Sequence, residues 1–373
     1  MRTQQSRRQF IKKGAVMTAG MWELARLVPS ERAAAAGDQP ADGTRTKKII
    51  VEKTKKIFST DGEHQRYNAF TNMDFWRGKY YVVFRQSEKH GGSDYSGKIV
   101  LLESSDLESW TDSVVMDLPS HDDRDPKLFA TTQRLFLYVT ARGRGAGIER
   151  TVVSYTEDGQ SWSTPQQTYG DRYSFWKPKA HDGLYYVAAD KSGKVELLES
   201  TDAINWKFVS TISDKYETTE TSLVFLKDNR LLALSRQNKS PGGHWPGFSS
   251  ASRPYTSWNY NLGGEVHFSG PAAALVGDTI VVASRTIVKD WGLSVDPDIP
   301  GDLGQRTALY TFNLQTMRLD LQVMLPSERG GDSSYPGIVP TSEDRAVVCW
   351  YDGHPKFDHP NPSDIWLAHI RIL

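Results

Sequence analysis

Glu157-Asp158-Gly159-Gln160-Ser161-Trp162 is one of three copies of a short pattern, the others being Ser105-Asp106-Leu107-Glu108-Ser109-Trp110 and Thr201-Asp202-Ala203-Ile204-Asn205-Trp206. The shared element is Asp-x-x-x-Trp. Its carboxylate can hold the backbone amides of a tight turn while the indole plugs between adjacent sheets, so it reads as a structural clasp with no catalytic role. Around the copies runs a longer period. Short apolar strands recur as Lys79-Tyr80-Tyr81-Val82-Val83-Phe84, Leu135-Phe136-Leu137-Tyr138-Val139, Leu184-Tyr185-Tyr186-Val187-Ala188, Leu231-Leu232-Ala233-Leu234, Thr279-Ile280-Val281-Val282-Ala283 and Ala346-Val347-Val348-Cys349-Trp350. Their starts are 56, 49, 47, 48 and 67 residues apart.

Each of these strands follows a turn, and each turn follows another strand-like segment, so every unit opens with a hairpin. Six units of this length predict an all-β fold, a six-bladed β-propeller of four-stranded antiparallel blades over residues 46–373. Lys47-Lys48-Ile49-Ile50-Val51 and the terminal Ile365–Ile372 are expected to share one sheet and close the ring. Eleven Trp, sixteen Tyr, fourteen Phe, thirty Gly and eighteen Pro suit many short strands joined by turns. The lone Cys349 excludes an internal disulfide and, within Val347-Val348-Cys349-Trp350, reads as a small core residue.

The zero net charge hides an asymmetry. Residues 1–36 carry seven Lys/Arg against two Glu, which leaves the body near −5 and without a general attraction for nucleic acid. Ser6-Arg7-Arg8-Gln9-Phe10-Ile11-Lys12, the apolar run from Gly14 to Trp22 and Ala33-Ala34-Ala35-Ala36 together form a twin-arginine export pattern. Residues 1–36 are accordingly read as a signal peptide handled by the twin-arginine (Tat) export machinery and 37–45 as a linker. The mature protein would then be periplasmic or secreted. No later stretch has the roughly 18 continuous apolar residues of a spanning helix, so no stable membrane insertion is expected after cleavage.

Antiparallel pairing puts the start of each first strand and the end of each second strand on one face of the ring. Second-strand ends offer Arg85, Arg142, Arg236 and Arg285, and first-strand starts offer Asn68, Arg124, Asp125, Trp176, Lys177, Glu220 and Tyr335. Guanidinium groups aimed at one axis need anionic company. Either Arg124, Arg236 and Arg285 pair with Asp125, Glu220 and Asp332, or the cluster grips an anionic ligand such as a sugar carboxylate. Trp176 beside Lys177 reads either as a stacking platform for a sugar or as packing between blades. The loops Asn238–Ser252 and Ile287–Gln305 overhang the same face.

Three runs carry a resemblance. Asp123-Arg124-Asp125-Pro126-Lys127-Leu128, Glu217-Thr218-Thr219-Glu220-Thr221-Ser222 and Gly331-Asp332-Ser333-Ser334-Tyr335-Pro336-Gly337 resemble bacterial sialidase-like propeller hydrolases, and the Asp-x-x-x-Trp segments resemble the Asp-box (BNR) repeats of that superfamily. The resemblance implies Tyr335 as nucleophile, Glu220 as the base that activates it, and Arg236 and Arg285 as two of three arginines on the sugar carboxylate. Where the family has Arg-Ile-Pro this chain has Tyr67-Asn68-Ala69-Phe70, which leaves Arg85 to supply the third contact. For the acid the candidates are Asp125, Asp74 and Asp94, with Asp125 preferred because a similar Arg-Asp-Pro run carries a catalytic-site Asp in fructosidase-type glycosidases.

The expected function is thus an exported glycoside hydrolase acting on a terminal sugar, an acidic one among the candidates, with no cofactor. His354 and His359 sit in a Pro-rich loop and are not read as metal ligands. Two alternatives stay open: a polysaccharide lyase in which Tyr335, Tyr67 or His64 abstracts a proton beside a uronate carboxylate, and a non-catalytic glycan-binding propeller.

Overall fold

A computed structural model of the chain describes residues 47–60, 66–91, 96–143, 149–354 and 362–373. The twin-arginine segment, the linker 37–45, and His64, Asp94 and His359 lie outside the described residues. Six separate antiparallel sheets form the six blades of a propeller.

Blade 1 comprises Tyr67–Trp76, Lys79–Ser87, Lys98–Ser104 and Thr111–Met116, and blade 2 His121–Ala130, Leu135–Gly143, Glu149–Thr156 and Gln166–Gln167. In blade 3 the innermost strand is split into Ser174–Phe175 and Lys179–His181, both paired with Leu184–Lys191, ahead of Lys194–Ser200 and Lys207–Ser213. Pro178 lies in the split, where a missing N–H and a fixed φ would break a ladder. Blade 4 runs Thr218–Phe225, Leu231–Gln237, Pro246–Ala251 and Asn259–Leu262, and blade 5 Ser269–Val276, Thr279–Ile287, Gln305–Asn313 and Arg318–Met324.

Blade 6 takes three strands from the end of the chain, Ser333–Pro340, Arg345–Gly353 and Ser363–Ile372, and its outermost strand, Ile49–Phe58, from the beginning. The register runs from Ile49 opposite Ile372 to Phe58 opposite Ile365. This pairing is the expected ring closure. It buries Ile49, Ile370 and Ile372, each side chain contributing about 1.5–3 kcal/mol when withdrawn from water. Cys349 is buried in the seam between blades 6 and 1, and burial pushes its thiol up to about 12, which leaves it inert.

The Asp-x-x-x-Trp segments fold alike. Asp158 Oδ1 accepts the amides of Gln160 and Ser161 at 2.8 Å each, and Asp106 and Asp202 do the same for Glu108 and Ser109 and for Ile204 and Asn205. Trp206 sits between Tyr138 of blade 2 and Phe175 of blade 3, at ring separations of 6.3 and 5.6 Å. The carboxylate closes the turn and the indole ties neighbouring sheets together.

Five of the six innermost strands share one irregularity near their starts. Register shifts fall between Ala69 and Asn72, Arg124 and Lys127, Thr219 and Thr221, Ser269 and Ala272, and Ser334 and Gly337. Each bulge carries left-handed backbone: Phe70 (φ 60°), Asp125 (47°), Glu220 (39°), Gly270 (60°) and Tyr335 (45°), the last preceded by Ser334 at 94°. A bulge re-aims the side chain it carries. Left-handed φ at Phe, Glu and Tyr costs about 1–3 kcal/mol each and persists only where the surroundings over-determine it. No described helix is long and apolar enough to cross a membrane.

Candidate active site

Four of the five bulged residues, Phe70, Asp125, Glu220 and Tyr335, line a cavity of about 260 Å³ at the mouth of the propeller. Phe70, Asp125, Trp176, Glu220 and Tyr335 enter it from first strands, and Arg142, Asp190 and Arg236 from the ends of second strands. Gly270 closes the arrangement from blade 5.

Tyr335 and Glu220 meet there. The Tyr335 hydroxyl donates to Glu220 Oε1 at 2.5 Å, Arg236 Nη1 donates to the same oxygen at 2.7 Å, and the Gly270 amide donates to Oε2 at 2.7 Å. Burial acts to raise the Glu220 pKa, but the Arg236 charge, the Tyr335 hydroxyl, the Gly270 amide and Arg285 together hold it below the usual carboxylate range. Tyr335 moves the other way: burial, then the Glu220 charge, push its phenol well above the ordinary value. At neutral pH the pair is therefore a carboxylate accepting from a protonated phenol.

Gly270 is required by this contact. A Cβ built on it would stand 2.7 Å from Cδ2 and 2.8 Å from Cγ of Tyr335, at a φ that other residues adopt only with strain. Gly270→Ala is expected to displace the Tyr335 ring and lower turnover on the order of 10²-fold, the scale of an ångström-sized misplacement. Circular dichroism should remain that of a folded propeller, and unchanged turnover would show that the ring position does not matter.

Behind Tyr335 lies a second network. Arg285 binds Asp332 Oδ1 at 2.6 Å, the Ser333 carbonyl at 2.6 Å and the Tyr351 hydroxyl at 2.8 Å, and its guanidinium lies 5.3 Å from the Tyr335 ring centre. Asp332, almost completely buried, also accepts from Tyr67 and, at 2.9 Å, from Tyr351, and faces His90 Nδ1 at 3.1 Å. Burial opposes its ionisation, yet Arg285, His90 and Tyr67 hold its pKa far below the carboxylate range.

Asp125 lines the cavity beside Arg124, whose Nε is 4.0 Å from its carboxylate. Arg124 also pairs with Asp122 at 3.3 Å and lies over the Phe70 ring. Trp176 is mostly buried, donates to the Pro271 carbonyl at 2.7 Å, and is shared between the cavity and the narrow axial channel beneath. It packs between blades and shows one edge to the mouth.

Besides Arg285, which lies behind Tyr335 and outside the cavity lining, three residues expected to touch substrate are elsewhere. Arg85 is fully buried, bound to Asp122 at 2.7 Å, to Ser87 Oγ at 2.6 Å and to the Lys89 carbonyl at 3.0 Å, so it cannot serve as the third arginine of the mouth. Asn68 is equally buried and clasps the Ser363 carbonyl at 2.8 Å, joining blades 1 and 6. Lys177 points down the axial channel, to Asp74 at 3.1 Å and the Met73 carbonyl at 2.6 Å, which also removes Asp74 from the mouth.

Glu149, His90 and Asp190 line the cavity without having been singled out as site residues. Asp190 differs most from its ordinary chemistry: burial first, then the charges of Glu220, Glu149 and Asp125, raise its pKa from 3.8 to about 8. The unfolded chain loses this proton near pH 4 while the folded chain keeps it, so the group costs stability progressively as pH rises from about 4 to about 8. Asp190→Asn is expected to raise Tm at pH 7 and to flatten the decline in stability across that window. Parallel slopes for the two proteins in thermal unfolding from pH 4 to 8 would sink the assignment.

No family model and no curated protein matches the chain. Solved structures do. A protein of unknown function from Dyadobacter fermentans superposes with a TM-score of 0.67 at 16% identity, covering 87% of this chain and 99% of that one. The NanB sialidase of Streptococcus pneumoniae gives 0.61 at 10% identity over 85% of this chain and 70% of its own. The endosialidase of phage phi92 gives 0.63 at 12% identity over 86% and 69%. The chain therefore shares the propeller fold of these structures, and at these identities the likeness is one of fold.

Proposed function

We propose that this protein is a glycoside hydrolase that removes a terminal sugar by way of a tyrosine nucleophile. The observation that carries the reading is the 2.5 Å contact between the Tyr335 hydroxyl and an ionised Glu220 at the wall of the mouth cavity. A phenol attacks poorly unless a positioned base takes its proton as the bond forms.

In the first step the Tyr335 oxygen bonds to the anomeric carbon and its proton passes to Glu220. The bond from that carbon to the leaving oxygen breaks, and Asp125 protonates the departing alcohol. In the second step Asp125 takes a proton from water as the water oxygen bonds to the anomeric carbon, and the Tyr335 oxygen leaves and recovers its proton from Glu220. The sum is hydrolysis with net retention, and both carboxyl groups end as they began. Arg236 steadies Glu220 in the resting state and the phenolic oxygen, 3.4 Å away, as it changes charge.

A cavity of about 260 Å³ lies just below the usual range of ligand pockets, roughly 300–1,000 Å³, which favours a chain end over the middle of a polysaccharide. The twin-arginine pattern supports export and a periplasmic or secreted site of action. As a lyase the same cavity would offer Tyr335 as base, because Tyr67 is fully buried and spends its hydroxyl on Asp332.

The test is product analysis on a panel of glycans with the mature chain. Reducing sugar without ultraviolet-absorbing product supports the hydrolase. An unsaturated, absorbing product would overturn it for the lyase, and glycan binding with no turnover would overturn it for the binding protein.

A further inference from the structure

We infer that the sugar accepted at the mouth is an uncharged one, recognised through its hydroxyls, and that the arginines around it belong to the protein's own carboxylates. The inference rests on the cavity being a sugar site, as proposed above, but not on the chemistry performed there.

Each arginine near the mouth is already matched. Arg85 binds Asp122 at 2.7 Å, Arg124 binds Asp122 at 3.3 Å, Arg142 binds Glu149 at 3.0 Å, Arg236 binds Glu220 at 2.7 Å and Arg285 binds Asp332 at 2.6 Å. Arg85 and Arg124 share Asp122, and Asp125 lies 4.0 Å from Arg124 as a further acidic neighbour. Every guanidinium thus has a carboxylate partner before any ligand arrives. Burial, Arg285 and Arg236 hold His267 and His244 below their ordinary range, so these rings add no positive charge. Lys127, under the cavity, is occupied by the Trp176 face at 4.2 Å and the Asp125 carbonyl at 3.1 Å.

An incoming carboxylate would have to compete with Asp332 for Arg285 or with Glu220 for Arg236. The first is blocked, because Asp332 is buried and held by Tyr67 and Tyr351 as well. The second sets it beside the ionised Glu220, which Tyr335 and the Gly270 amide also hold, and like charges side by side disfavour an ionised ligand. A neutral ring meets neither obstacle. Asp125 and Glu149 can accept from its hydroxyls, the protonated Asp190 and the Thr140 and Asn238 side chains can donate to them, and Phe70 and the edge of Trp176 offer apolar faces. A neutral phenol as nucleophile suits this setting, since it adds no further negative charge to a wall rich in carboxylates.

The experiment compares sugars that differ only in charge. Saturation-transfer NMR and competition titrations with the full mature chain would use galactose against galacturonate and glucose against glucuronate, with N-acetylneuraminate as a further acidic probe. The neutral member of at least one pair should bind about tenfold or more tightly than its acidic partner. Asp332→Asn, which releases Arg285, should raise acidic-sugar affinity by about tenfold or more. Tighter binding of an acidic sugar by the unmodified protein overturns the inference, as does failure of both members of every pair to bind. The wild-type comparison decides the matter even if Asp332→Asn does not fold. Neutral sugars that bind while no glycoside is cleaved would uphold this inference and sink the hydrolase, and cleavage confined to acidic glycosides would do the reverse.

Discussion

Tyr335→Phe is expected to lower kcat by about 10³-fold or more while KM stays within a few-fold, the pattern of an interaction made only in the transition state. The substitution removes one oxygen from a ring held on several sides. Phe70 packs edge-on at 5.2 Å, Trp176 and Tyr351 lie at 5.9 and 6.2 Å, and the Arg285 guanidinium lies over the ring face. The phenylalanine ring should therefore stay in place, and the loss will measure chemistry rather than packing. Thermal unfolding provides the control. A kcat within about tenfold of wild type would remove Tyr335 from the reaction and turn attention to Asp125.

The second large effect belongs to Glu220→Gln, expected to cost about 10²–10⁴ in kcat, the range for loss of a general base. An amide can still meet the Tyr335 hydroxyl but cannot take its proton, and it leaves Arg236 facing a neutral partner. Wild-type activity carries a matching signature in pH. The Glu220 pKa lies below its ordinary 4.5, so its base function is present above that value and is lost only as pH falls through the lower one. Steady-state kinetics of both proteins from pH 3 to 9 give the check. An acidic limb centred above pH 5 in the wild type would contradict the assignment of Glu220 as the base.

Most of the architecture was legible because it repeats. Six apolar strands in step with hairpin turns give six blades, and the apolar first segment needs a strand edge that the last segment supplies, which is why Ile49–Phe58 and Ser363–Ile372 close the ring. The pairing of Arg236 with Glu220 and Arg285 with Asp332 was one of two open readings, since sequence gives the charges at a face but not the distances between them.

What sequence could not supply was the bulge. A tyrosine, a glutamate and a phenylalanine in left-handed backbone leave no compositional trace, because ordinary propensities favour extended geometry at these residues. Only Gly270 among the five bulge positions carries the residue that the geometry invites. Each bulge breaks the in-and-out alternation, and this explains the misplaced residues on blade 1. With the shift between Ala69 and Asn72, Asn68 turns outward to Ser363 and Phe70 takes the place at the mouth. Strand Lys79–Ser87 is buried on both faces over most of its length, so its pattern gives no hint that Arg85 points toward Asp122 inside the protein. Asp190 stands at the end of a second strand, but its retained proton depends on burial and on Glu220, Glu149 and Asp125, which come from two other blades.

The central claim is a covalent bond between Tyr335 and the sugar, and trapping it is the most direct test. The mature protein would be incubated with a panel of 2-deoxy-2-fluoroglycosyl fluorides, whose ring fluorine slows both steps while the anomeric fluoride leaving group keeps the first one fast, and then digested for peptide mass spectrometry. The account predicts a single sugar adduct on the phenolic oxygen of Tyr335, absent from Tyr335→Phe and released on transfer to a competing alcohol. An adduct on Asp125, Glu149, Asp190 or Glu220, or steady turnover of glycosides with inversion at the anomeric carbon, would contradict it.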